Sequence, residues 1–273
     1  MTRTSRSALS LAAVAALLLP AAPLAASAAP PSHTYDAIGD SYAAGSGAPV
    51  GAAYPEVLDG RMRIALDDFA AVPGATAGPG PNSLAAQLGA LDEDTDLVTL
   101  TIGGNDIPWS LTVTQCLLLD DTFCLAQIGV VEQQIQDELP AILDAAYDDV
   151  AAAAPNAHIV ITGYAHLFSP RFGDYLVPLN DDLTMVMSVA EQHAANYAAD
   201  LLNQTIAERA AAHGFQFVDV TQRFGNHGGN APAPWLHGVV LDQIGDSFHP
   251  NTQGYRAYGA ALTSAISPRD LRG

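Results

Sequence analysis

Lysine is absent from all 273 residues. The ten basic residues are arginines, set against 29 Asp and Glu, for a formal net charge of −19. A chain this acidic repels phosphate backbones and anionic bilayers, which excludes nucleic acid as a partner and disfavours tight membrane docking. Neutral esters carry no such penalty. Cysteine is nearly absent as well. Cys116 and Cys124 are the only two, and no His, Asp or Glu cluster stands at ligand spacing around them. That argues against a metal site, and none is expected. Two tryptophans, Trp109 and Trp235, leave few platforms for stacking sugars. Beyond the N-terminal segment, no apolar run approaches the roughly 20 residues of a membrane span. No serine has glycine both two residues before it and two after, so the G-x-S-x-G elbow of α/β hydrolases is missing.

The first 28 residues read as an export signal. Arg3 and Arg6 give a basic start, an apolar run spans Ala8 to Leu19, and small residues end in Ala26-Ser27-Ala28. That layout belongs to a cleaved secretory peptide. Its removal would leave residues 29–273 as one domain, with the net charge moving from −19 to −21. The size fits a single core. An exported chain meets oxidising conditions, so Cys116 and Cys124 are expected to pair. On the chain-entropy account so short a loop contributes about 2–3 kcal/mol.

Short apolar runs alternate with longer helical patterns. Strands are predicted at 34–38, 68–72, 97–102, 158–162 and 215–218. The runs Leu97-Val98-Thr99-Leu100-Thr101-Ile102 and Ile159-Val160-Ile161 are rich in β-branched residues, as buried parallel strands are. Helices are predicted at 83–91, 130–154, 182–213 and 252–266, with Pro140 breaking the second. Residues 108–128 and 221–243 read as irregular. The alternation implies an α/β fold, a three-layer α/β/α sandwich around a five-stranded parallel sheet. Ligands in such sheets bind beyond the carboxyl ends of the strands.

The residues at those ends carry chemistry. Gly39-Asp40-Ser41 follows the first strand, Pro73-Gly74-Ala75 the second, and Gly103-Gly104-Asn105-Asp106 the third. Asp246-Ser247-Phe248-His249-Pro250-Asn251 precedes the last helix. A serine, a bare backbone, a carboxamide and an Asp-x-x-His are the parts of acyl transfer. In four ordered blocks, "GDSYAAG", "VPGATA", "IGGND" and "DSFHPN", this set resembles the SGNH (GDSL-type) hydrolase superfamily. It looks most like the secreted actinobacterial lipase and esterase branch, over nearly the whole chain after the leader. The fold implied is the flavodoxin-like SGNH sandwich. The chain departs from that branch in having Ala71-Val72-Pro73 where Cys-Ser is common, and in having one cysteine pair.

The resemblance assigns Ser41 as nucleophile, His249 as base and Asp246 as the carboxylate that orients the imidazole. The oxyanion donors would be the N–H groups of Ser41 and Gly74 and the Asn105 amide. Gly78 and Gly80 lie close to Gly74. Asp40 and Asp106 are expected to brace their loops. Leu117, Leu118 and Leu119, between the cysteines, are the sequence's candidates for an acyl-binding wall, with the loop 164–179 as the opposite rim. Trp235 is expected to pack beneath the site. The function expected is a secreted carboxylester hydrolase that uses no cofactor. Its partner is an ester substrate, without membrane insertion, and the chain is expected to be a monomer. Removal of acetyl groups from polysaccharide by the same mechanism is the alternative. A non-catalytic binding protein on the same fold is disfavoured, because every chemical block is intact.

Overall fold

The computed structural model describes residues 32–271; the expected leader lies outside them. Five strands make one sheet: β1 (His33–Gly39), β2 (Ile64–Phe69), β3 (Leu97–Thr101), β4 (His158–Thr162) and, after an intervening hairpin, β7 (Gln216–Val218). The order across the sheet is β2-β1-β3-β4-β7, and every pairing is parallel. The central strand β3 is buried at all five positions. That explains its unbroken apolar and threonine sequence, since no position faces water. The hairpin consists of β5 (Tyr175–Pro178) and β6 (Thr184–Met187).

Eight helices complete the described chain: α1 (Ser41–Ala44), α2 (Tyr54–Leu58), α3 (Trp109–Leu118), α4 (Asp121–Asp137), α5 (Leu139–Ala153), α6 (Val189–Ala212), α7 (Thr221–Phe224) and α8 (Thr252–Ala265). Helix α1 packs on β1 and β3, and the other seven form two groups. Helices α3 to α6 pack on one another, and α8 packs with α2 and α7. The sheet is flanked by these helices as the sandwich predicts. No helix among the described residues is long and apolar enough to cross a membrane.

Several elements differ from the sequence expectation. The second strand lies four residues earlier than expected. The chain nevertheless stays beside β1, because Ala70 N–H donates to Ala37 O and Val72 N–H to Gly39 O, both at 2.9 Å. A register shift between Tyr35 and Ala37 falls within β2, so that Leu66 pairs with Tyr35 and Phe69 with Ala37. The region 108–128 is helical rather than irregular. A disulfide between Cys116 and Cys124 clips the last turn of α3 to the first turn of α4. Asp120 caps α4 by accepting from Phe123 N–H at 2.9 Å. The predicted helix at 182–213 begins only at Val189, because residues 184–187 pair with β5 instead. A capping box starts the helix: Ser188 N–H donates to Glu191 Oε2 at 2.7 Å, and Glu191 N–H to Ser188 Oγ at 3.2 Å. That S-x-x-E spacing was a readable signal. The break at Pro140 occurs as expected, with α4 ending at Asp137 and α5 starting at Leu139.

Candidate active site

The nucleophile candidate stands where β1 turns into α1. Gly39 has φ 129°, and a Cβ there would lie 2.4 Å from the Thr101 carbonyl oxygen. Only glycine lets β1 run this close to the end of β3. Asp40 then caps α1, its Oδ1 accepting from Tyr42 N–H at 2.9 Å. Ser41 is left half-buried at the first helical position.

His249 comes from the segment before α8. Its Nε2 is 2.7 Å from Ser41 Oγ. Its Nδ1 is 3.0 Å from the Ser247 carbonyl oxygen. A carbonyl can only accept, so Nδ1 carries the proton and Nε2 is free to receive one from Ser41. The segment is anchored by Tyr42, whose phenol donates to Phe248 O at 2.7 Å. Phe248 has φ 60°, a left-handed turn between the carbonyl and the ring it meets.

This arrangement corrects the expectation for Asp246. Its carboxylate makes no hydrogen bond to the imidazole; the Ser247 backbone holds that position instead. The i, i+3 spacing suggested reach, but residues 244–246 form a tight 3-10 turn, and the chain then bends at Phe248. Asp246 acts on the ring only through space. Burial lowers the His249 pKa below its ordinary value, opposed by the Ser247 carbonyl and the Asp246 charge. The imidazole is therefore neutral, and a base, at pH 7. The acid limb of kcat/KM that belongs to it is expected below about pH 6.5. Asp246→Asn should change kcat only a few-fold and move that limb slightly downward; a loss of 1,000-fold in a pH-rate series would restore Asp246 as the orienting group.

Asn105 and Gly74 converge from the ends of β3 and β2. Asn105 Nδ2 donates to Ala75 O at 2.9 Å, and the amide's second N–H remains for a ligand. Gly74 has φ 79° and faces the same cavity. Its N–H and that of Ser41 have no protein acceptor among the described residues. Asp106 braces the Gly74 loop as expected, accepting from Ala77 N–H at 2.9 Å and Gly78 N–H at 2.8 Å. Burial raises the pKa of Asp106 above the ordinary carboxylate range, against those two N–H donors.

Ser41, Gly74, Asn105 and His249 line one cavity of about 400 Å3. Its remaining wall is mostly apolar, from Trp109 and Val113 on α3, Leu167, and Ala198, Ala199 and Leu202 on α6. The expected wall was Leu117, Leu118 and Leu119, and none of these reaches the cavity. Leu117 is buried in the core, while Leu118 and Leu119 are exposed at the end of α3. The apolar run was real, but helical twist turns it away and presents positions 109, 110 and 113 instead. Of the loop 164–179, Tyr164, Ala165 and Leu167 line the cavity, while Phe168 and Tyr175 pack in the core. Trp235 stacks on His227, 4.0 Å between ring centres, and does not line the cavity. Among the described residues the one acid and sulfur group tight enough for a metal is Cys116, Cys124 and Glu191, whose sulfurs are consumed in the disulfide.

A model of the GDSL-like lipase/acylhydrolase family matches residues 37–257. The chain belongs to that family. It is 37% identical over 233 residues to lipase 1 of Streptomyces coelicolor, covering 81% of each chain. It is 38% identical over 243 residues to a lipase of Streptomyces rimosus, covering 85% of this chain and 86% of that one. Among solved structures it resembles the extracellular lipase of Streptomyces rimosus, at 35% identity and a TM-score of 0.73. The match covers 86% of this chain and all of that one. It also resembles phospholipase A1 of Streptomyces albidoflavus, at 33% identity and a TM-score of 0.75 over the same shares. This GDSL family member is thus a lipase/acylhydrolase, a carboxylic ester hydrolase.

Proposed function

We propose that this acylhydrolase is exported and cleaves esters of aliphatic acyl chains with Ser41 as nucleophile and His249 as base. The observation that carries the reading is the 2.7 Å contact between Ser41 Oγ and His249 Nε2 at the wall of an apolar cavity. Ser41 attacks the ester carbonyl as its proton passes to Nε2. The N–H groups of Ser41 and Gly74 and the Asn105 amide stabilise the oxyanion. Protonated His249 then donates to the leaving alcohol, and water repeats the steps on the acyl-enzyme. The Ser247 carbonyl holds the ring throughout, so the assembly is a Ser–His pair with a backbone orienter.

The acyl chain lies between α3 and α6, against Val113, Ala198, Ala199 and Leu202. Burying each methylene there contributes roughly 0.8 kcal/mol. In a series of p-nitrophenyl esters, kcat/KM should therefore rise by up to about fourfold per methylene until the chamber is full. Val113→Phe should lower the rate on octanoate about tenfold or more and leave acetate nearly unchanged, since only the longer chain meets the added ring. A steep fall beyond acetate in the unaltered protein, with turnover of acetylated xylan, would favour the polysaccharide acetylesterase instead.

Export is supported by the leader-like residues 1–28 and by the extracellular relative from Streptomyces rimosus. Protein recovered from culture medium should begin at Ala29. A chain retaining Met1 outside the cell would count against cleavage.

A further inference from the structure

We propose that Tyr164 is a positioning residue for the oxyanion site, a phenol that ties the nucleophile turn to the turn carrying Asn105. The inference rests on the mechanism above and adds a residue to it. Tyr164 follows β4, is buried, and lines the cavity. Its oxygen accepts from Gly104 N–H at 3.0 Å. Its proton goes to Asp40 Oδ2 in a short hydrogen bond. The other Asp40 oxygen accepts from Tyr42 N–H. One phenol thus links the residue before Ser41 to the residue before Asn105. The two turns leave neighbouring strands, and Asp40 N–H to Thr101 O, at 2.9 Å, adds one backbone bond between them. Gly104 explains itself in this setting: a Cβ there would lie 3.0 Å from both Cζ and Oη of Tyr164. The second glycine of "GGND" leaves room for the phenol.

The chemistry needs that link. Oxyanion donors act only when aimed at the oxygen, and misplacement by about 1 Å can cost 100-fold. Without the phenol, Gly104 N–H and Asp40 Oδ2 would both be left unpartnered. The Asn105 peptide would then be free to rotate.

Asp40 gives the link a signature. It is fully buried, and burial raises its pKa to about 7, opposed by the Tyr164 and Tyr42 hydrogen bonds and reinforced by the charge of Asp106. The other titratable groups facing it are Tyr42 on α1, Tyr54 on α2, and Tyr255 and Tyr258 on α8. As a carboxylate, Asp40 accepts the phenol proton. Once protonated, it is a weaker acceptor and its own O–H competes as a donor to the phenol oxygen, so the bond from Tyr164 weakens. The aim of the Asn105 amide then loosens as pH falls through about 7. This inflection is distinct from the lower limb of His249.

Tyr164→Phe is expected to lower kcat on a soluble butyrate ester by about 10- to 100-fold, with KM within about twofold. An alkylboronic acid, which forms a tetrahedral adduct on Ser41, should bind more weakly by the same factor. The inflection near 7 should disappear. Asp40→Asn keeps a good helix cap and guards against a Tyr164 variant that fails to fold. It should hold the reduced low-pH rate at every pH, with the His249 limb intact. Wild-type kcat in either variant, or a reduced kcat with unchanged boronic acid affinity, overturns the assignment. Retention of activity by Ser41→Ala would instead overturn the mechanism itself, so the two failures are separable.

Discussion

Ser41→Ala should lower kcat/KM on a chromogenic acyl ester by about 10,000-fold or more, equivalent to about 5 kcal/mol of transition-state stabilisation. The variant removes one hydroxyl from a half-buried position, so its circular dichroism spectrum and thermal midpoint should match the parent. His249→Ala should cost about as much, because a serine hydroxyl without a base is a poor nucleophile. The double variant should be hardly worse than either single one. Members of a unit that transfers one proton are not additive. A rate for Ser41→Ala within tenfold of wild type would falsify the nucleophile assignment and direct attention elsewhere in the cavity.

The second large effect belongs to Asn105. Removing one oxyanion donor costs about 100- to 1,000-fold in kcat, or about 3–4 kcal/mol. Asn105→Ala should fall at the upper end of that range. The same amide that faces the cavity also donates to Ala75 O, beside Gly74. The substitution therefore deletes one donor and slackens the turn that presents another. KM should barely move, since the ground-state carbonyl makes weaker use of these groups than the oxyanion does. Steady-state kinetics on one soluble ester decides it. A raised KM with unchanged kcat would make Asn105 a substrate-binding residue rather than a stabiliser of the transition state.

Much of the fold was legible in the chain because local rules and tertiary packing agree there. The buried strands β3 and β4 announce themselves by runs rich in β-branched residues. The helix break at Pro140 follows from a missing N–H and a steric clash, which no context repairs. Misreadings cluster where context wins. Residues 184–187, expected to open the long helix, form a strand through pairing with β5, in keeping with β-branched Thr184 and Val186. The segment 108–128 looked irregular from its composition, yet it folds as two helices clipped together by the disulfide.

The active site divides in the same way. Ser41, Gly74, Asn105 and His249 could be singled out in the sequence because each is a residue type that acyl transfer requires, placed after a strand or before a helix, and all four line one cavity. Their convergence on one cavity follows from the parallel sheet, which brings strand ends to a single edge. Second partners were not readable. The Ser247 carbonyl took the place expected for the Asp246 carboxylate, and backbone groups leave no trace in residue identity. Tyr164 could be suspected only from the room that Gly104 leaves for it.

By itself the sequence determined the reaction class, the alternating architecture and the acidic, lysine-free surface, since these depend on which side chains exist and in what order. Only the tertiary structure decided which atom is hydrogen-bonded to His249 Nδ1, which face of α3 lines the cavity, and how the turns beyond β1 and β3 are tied. Those are matters of direction, and direction is set by dihedral angles and packing between segments far apart in the chain.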